Sequence, residues 1–230
     1  MSGLKEKQFF DTYLEPENAK EHFFWPLIVR FNAHSCFLKE ESQAFLTDPA
    51  FGSWLGELPD FVRPQSDVVA DFFWDFAEES RKLALLDDRC LVHLAQVSGV
   101  TLHARELAKV VERTARGVLC SALGEKLFFY ALARGQYQAG ASEEIFAKRD
   151  THLSLEARCQ THGWLALRFC AMAWPEALRS RFIRRLDSFS DSPTDCTAHL
   201  DDARWQALWR MLKKCLLREV APSWAAYFSA

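Results

Sequence analysis

No uninterrupted apolar run in this chain approaches the roughly 18 residues needed to span a bilayer, so no transmembrane helix is expected. The N-terminus, MSGLKEKQFFDTYLEPENAKEHFFW, lacks a basic start followed by an apolar run. No signal peptide is therefore evident, and the expected compartment is the cytoplasm. No C-x-x-C unit occurs, and the seven cysteines are odd in number and irregularly spaced. Cys90, Cys120, Cys170 and Cys215 lie in apolar helical runs and read as buried reduced thiols rather than a disulfide frame. A glycine-rich phosphate loop, a G-x-S-x-G elbow and an H-E-x-x-H pair are all missing, as are internal repeats and low-complexity segments. The familiar nucleotide-binding, esterase and zinc-protease signatures are thereby excluded, and no enzymatic activity or cofactor is expected.

A strong net charge is also missing. The formal balance is −3, which makes no electrostatic case for nucleic acid. The charge is uneven, however: residues 1–100 carry −8, residues 101–150 carry +2 and residues 151–230 carry +3. What is abundant is aromatic surface, with 19 Phe and 8 Trp in 230 residues. Such side chains fill cores or anchor interfaces, and composition alone leaves both readings open.

Periodicity points to a mainly α, irregular multi-helix domain with little or no sheet, over residues 1–230. Residues 1–25 look like an extension, and Leu27-Ile28-Val29-Arg30-Phe31 is extended or helical. Ser66 reads as an N-cap, followed by Val69, Phe72, Phe73 and Phe76 on one helical face. Asp87 opens a second helix, expected to end at Gly99, and Thr101 opens a third. Gly117 and Gly124 interrupt the stretch 115–135, so two short helices are as acceptable as one. Residues 136–150 read as a polar loop. Leu153 to Trp174 reads as a long helix, Pro175 as the start of another, and residues 188–200 as a second loop. Asp201-Asp202 begin a last helix, closed by Pro222.

Two constellations bear on chemistry. Ala95, Gly99 and Val100 have the spacing of a helix-turn-helix, which makes a DNA-binding regulator using residues 91–112 the alternative function. Arg105 falls where that motif wants an apolar residue, and Glu106 and Glu112 would face phosphate, so a helical hairpin with a glycine turn competes with it. His152, Cys159 and His162 lie within eleven residues, but structural zinc wants four closely paired ligands. Burial or capping explains these side chains without a metal. A helical enzyme with an unrecognised site is the third class.

The surface cluster singled out for protein contact is Arg179, Arg181, Arg184 and Arg185. Spacing places Arg181, Arg184 and Arg185 on one helix face, where arginine forks suit carboxylates; a solvated face is the plainer reading. From sequence, Arg181→Glu with Arg185→Glu is expected to weaken partner binding at unchanged thermal stability.

Three segments resemble the SctK family, accessory proteins of bacterial type III secretion systems. They are LIVRFNAHSCF (Leu27 to Phe37), RCLVHLAQVSGVTLHARELAKVVERTARGVLCSALGEKLFFYAL (Arg89 to Leu132) and LLREVAPSWAAYF (Leu216 to Phe228). The central segment has a leucine-rich helix, a glycine, a leucine-histidine helix start and an apolar run. The family's opening segment usually carries a proline after its arginine-phenylalanine pair, where this chain has Asn32-Ala33-His34. The resemblance covers about a third of the chain. It implies a mostly helical, non-enzymatic adaptor at the cytoplasmic face of the inner membrane. Its partners would be the cytoplasmic domain of the membrane-ring protein and the sorting-platform pod protein, with neither nucleic acid nor membrane insertion involved.

Overall fold

The structure is a computed structural model, and it describes residues 23–24, 27–28, 31, 73, 75–189 and 200–228. The chain, read from sequence as one domain, divides into two compact units, residues 1–76 and 77–230. In the first unit Phe23, Phe24, Leu27, Ile28 and Phe31 are helical, so the described residues of that ambiguous segment are helical. Phe24, Phe31 and Phe76 are buried, and edge-to-face ring pairs join Phe31 and Phe73 to Phe76 at 5.8 and 5.4 Å. Phe73 and Phe76 lie outside any helix, so the helical face expected to run through them does not reach that far. Ser66, Val69 and Phe72 lie outside the described residues.

The second unit is helical, with no strand among its described residues. A 3₁₀ helix, Glu79–Leu85, leads into α1, Asp88–Leu102. Then come α2 (Ala104–Lys109), α3 (Arg113–Leu123), α4 (Glu125–Tyr130), a π turn (Ala131–Gly135) and α5 (Gln136–Gln138). A 3₁₀ turn, Gly140–Ser142, precedes α6, Glu143–Phe146. The long helices α7 (Leu155–Ala171), α8 (Glu176–Asp187) and α9 (Asp202–Cys215) follow, and a π turn, Leu216–Val220, and a 3₁₀ helix, Pro222–Tyr227, close the described chain.

Local chemistry starts the principal helices where short polar residues can cap them. Asp87 accepts from the Cys90 amide at 2.7 Å, Ser154 from Ala157 at 3.3 Å and Asp201 from Arg204 at 2.8 Å, each satisfying an amide that the first turn leaves free. Pro175 occupies the position just before α8. Gly124, at φ 85°, separates α3 from α4, whereas Gly117 is an ordinary interior residue of α3.

The expected break at Gly99 does not occur. α1 runs unbroken through Gly99 and Thr101, the chain turns at His103, and α2 ends at Lys109 after six residues. The glycine-turn hairpin and the helix-turn-helix both placed the turn four residues too early. The reason is tertiary. At Gly99 a Cβ would sit 1.8 Å from the Cys159 carbonyl oxygen, and at Gly163 one would sit 2.0 Å from that of Ala95. α1 and α7 therefore cross backbone to backbone, glycine against glycine, with the four-residue steps Ala95–Gly99 and Cys159–Gly163 matched. The contact outweighs the roughly 1 kcal/mol of helix propensity that glycine forgoes.

Around this crossing Leu91, Leu94, Leu165, Leu167, Phe182, Leu208 and Leu212 are fully buried. The segment 136–150, expected to be a polar loop, is instead a run of short helices. Phe146 anchors it, fully buried at 5.9 Å from the Phe169 ring and 5.2 Å from His162. Many of the aromatics serve the core: the indole N–H groups of Trp174 and Trp205 donate to Ser80 Oγ (2.9 Å) and the Cys170 carbonyl (3.0 Å). Phe228 packs with Trp209 and Trp224 beneath the ammonium groups of Lys82 and Lys213.

Candidate functional site

Where α1 ends, its last turn meets α7 in a line of ionisable side chains. His103, between α1 and α2, is 1% exposed, and His162, one residue before the Gly163 crossing, is 0% exposed. Nε2 of His103 lies 2.8 Å from Nδ1 of His162. The outer nitrogens face carboxylates: His103 Nδ1 is 3.1 Å from Glu106 Oε1, and His162 Nε2 is 3.1 Å from Asp150 Oδ2. Arg158 grips Glu106 through both carboxylate oxygens, at 3.2 and 2.6 Å. Asp150 sits in the turn before α7 with φ 49°, a left-handed conformation that a short polar residue tolerates. Each of the four ring nitrogens thus has a polar partner within 3.1 Å.

Burial pushes both imidazoles below the ordinary value of 6.5, against the pull of Glu106 on His103 and of Asp150 on His162. For Glu106, burial acts to raise the carboxyl, but the two bonds from Arg158 and the His103 ring beside it outweigh that and hold the group low. The sign for stability follows. Both rings bind protons less readily in the folded state than in the unfolded chain, so their contribution is intact above pH 6.5 and is lost as pH falls below it. Thermal melts at pH 8 and pH 5.5 should differ by on the order of 3–6 °C, the acid sample melting first. Equal midpoints would contradict the assignment of two depressed histidines.

A second polar node lies under the two π turns. Tyr130 and Cys215 immediately precede those turns, and Thr101 Oγ1 is 3.1 Å from the Tyr130 hydroxyl and 3.6 Å from Cys215 Sγ. Gln138 Oε1 accepts from Tyr130 at 3.1 Å, and above them Arg134 pairs with Glu219 at 3.2 Å. Burial pushes the Cys215 thiol up to about 11 and the Tyr130 hydroxyl higher still, so both stay protonated. Cys159 is likewise held at about 12 by burial. These are inert core thiols; Cys90 and Cys120 are only half-buried.

The arginines singled out from sequence do not share one surface. Arg181 is buried, at 5% exposure. Arg185 turns inward, donating to the carbonyls of Ala84 (3.1 Å) and Leu86 (2.7 Å) and to Asp88 (2.6 Å). Arg179 pairs with Glu176 and reaches the Met172 carbonyl, which leaves Arg184 as the exposed member. The expectation that reversing Arg181 and Arg185 spares stability is therefore corrected: both side chains are part of the packed structure. His152 is exposed while Cys159 and His162 are buried, and no group of metal-holding side chains occurs among the described residues.

Exposed apolar residues concentrate elsewhere. Val111, Val118, Phe129 and Tyr137 are each between 53% and 83% exposed, and all lie on consecutive short elements from the end of α2 to α5. Sequence periodicity missed them because it marks apolar residues as interior by default. Among the described residues no helix is long and apolar enough to cross a membrane. Comparison with models of known protein families, with curated proteins and with solved structures finds no match.

Proposed function

We propose that this chain is a non-enzymatic helical adaptor of a type III secretion system, acting at the cytoplasmic face of the bacterial inner membrane. It would join the cytoplasmic domain of the inner-membrane ring protein to the sorting-platform pods. The observation that carries this reading is the likeness of three segments, in order, to SctK proteins: Leu27 to Phe37, Arg89 to Leu132 and Leu216 to Phe228. The mainly helical character of the described residues is compatible with it. Further support comes from the central segment, which contains Val111, Val118 and Phe129, large apolar side chains left open to solvent. Where such side chains gather into one contiguous patch, they mark protein contacts.

The test is light scattering after size exclusion, with the chain mixed in turn with the cytoplasmic domain of its own organism's ring protein and with the pod protein. A stoichiometric complex with at least one is expected. Val118→Asp with Phe129→Asp should weaken that complex by about tenfold or more, roughly 1.4 kcal/mol, at an unchanged melting temperature. Separate peaks in both mixtures at tens of micromolar would end the adaptor reading.

A further inference from the structure

Two imidazoles bonded to each other inside a protein raise a question of hydrogen count. The contacts Asp150–His162, His162–His103 and His103–Glu106 each need one hydrogen. Two neutral rings carry only two N–H groups between them. The 2.8 Å contact between the two ring nitrogens is the shortest of the three and keeps its hydrogen, so with both carboxylates ionised a ring lone pair faces one of them at 3.1 Å. Which contact goes without is decided by what else holds each carboxylate. Glu106 is already neutralised by the two-point grip of Arg158. Asp150 has His162 as its side-chain partner. The neutral pair is therefore arranged with His162 Nε2–H on Asp150 and His103 Nε2–H on His162 Nδ1, leaving His103 Nδ1 bare toward Glu106.

We propose that His103 and His162 form a single-proton latch between α1 and α7, which accepts one proton at His103 Nδ1 and is broken by a second. The first proton completes the chain of three bonds and places a cation between two carboxylates. A second proton would put hydrogens on both nitrogens of the 2.8 Å contact, N–H against N–H, and add an uncompensated charge in a buried site. Only separation of the rings relieves it. His162 adjoins Gly163 and His103 lies one turn beyond Gly99, so separated rings push apart the helix crossing itself. The charged groups facing the pair are Glu106 from α2, Glu143 from α6 (itself paired with Arg105 at 3.1 Å), Asp150 from the preceding turn and Arg158 from α7. Only the first three attract a proton, and Arg158 opposes it. The latch stands on this geometry alone, independent of the adaptor reading.

The test is long-range ¹H–¹⁵N spectroscopy of the full chain with ¹⁵N-labelled histidine, titrated from pH 8 to acid unfolding. At pH 8 each of the two rings should carry its hydrogen on Nε2. On acidification His103 Nδ1 should gain one, while His162 Nδ1 stays unprotonated until the native spectrum disappears. If both rings become charged with the native spectrum intact, or neither gains a proton before unfolding, the latch does not exist. Glu106→Gln keeps an acceptor for Arg158 but removes the charge that welcomes the proton. It should lower the His103 midpoint by about half a pH unit or more; an unmoved midpoint would overturn the assignment of the proton to Nδ1.

Discussion

Alanine at Gly99 or at Gly163 is expected to destabilise the protein by about 3 kcal/mol or more, at the upper end of what overpacking costs. The added methyl at either site would lie within 2.0 Å of a backbone carbonyl oxygen of the facing helix. Neither that oxygen nor its helix can swing aside as a flexible side chain would. α1 and α7 must therefore separate, which loosens the apolar contacts on both sides of the crossing and the His103–His162 bond beside it. For a chain of this length the loss corresponds to a fall in melting temperature of about 6–12 °C. Gly117 supplies the control. It lies inside α3, and a Cβ there meets nothing within 4 Å. Gly117→Ala should stabilise by roughly 0.5–1 kcal/mol, because alanine forms helix better and leaves the unfolded chain less freedom. Chemical denaturation of the three variants decides the matter: similar midpoints for Gly99→Ala and Gly117→Ala would mean the helices do not cross where the structure places them.

Arg185→Ala is expected to cost about 2–3 kcal/mol, the range for losing charge-assisted bonds to partly buried acceptors. Arg185 holds the end of the 3₁₀ helix and the first turn of α1 against α8, through the carbonyls of Ala84 and Leu86 and the carboxylate of Asp88. Its removal leaves two carbonyls short of a donor and frees one end of the packed unit. Arg185→Lys should recover only part of the loss, since a single ammonium cannot reproduce the planar fork. Arg184→Ala, one residue away but exposed, should stay within about 0.5 kcal/mol of the parent. If the two alanine variants melt together, Arg185 is not the tie that the geometry indicates.

The contrast between these neighbours shows how far sequence reading reaches. Spacing puts Arg181, Arg184 and Arg185 near one another on α8, and that much is right. Spacing does not say that Arg185 turns inward while Arg184 stays exposed, because the partners of Arg185 lie in the segment Ala84 to Asp88, about a hundred residues earlier in the chain. In the sequence His162 stands out only through its spacing from His152 and Cys159, and His103 only within the leucine-histidine helix start. Their bond to each other links residues 59 apart, beyond any window of helical periodicity. The segment 136–150 departs from its expected loop for a related reason: small and polar residues dominate it, yet Gln138, Ala139 and Ser142 are buried beside Phe146.

What the sequence determined by itself is what neighbouring residues decide among themselves. The start of α1 at Asp87, the start of α9 at Asp201 and the opening of α8 after Pro175 follow from side chains and backbone preferences that act within three or four residues. The mainly helical class follows from apolar residues recurring every three or four positions. The tertiary structure alone decided that Gly99 is a contact rather than a turn, that Arg185 clamps rather than displays, and that two histidines share one site. In each case the same residue is compatible with either role until a partner far along the chain arrives. Helix propensities differ by about 1 kcal/mol or less among ordinary residues, and a backbone clash or a buried ionic contact exceeds that easily.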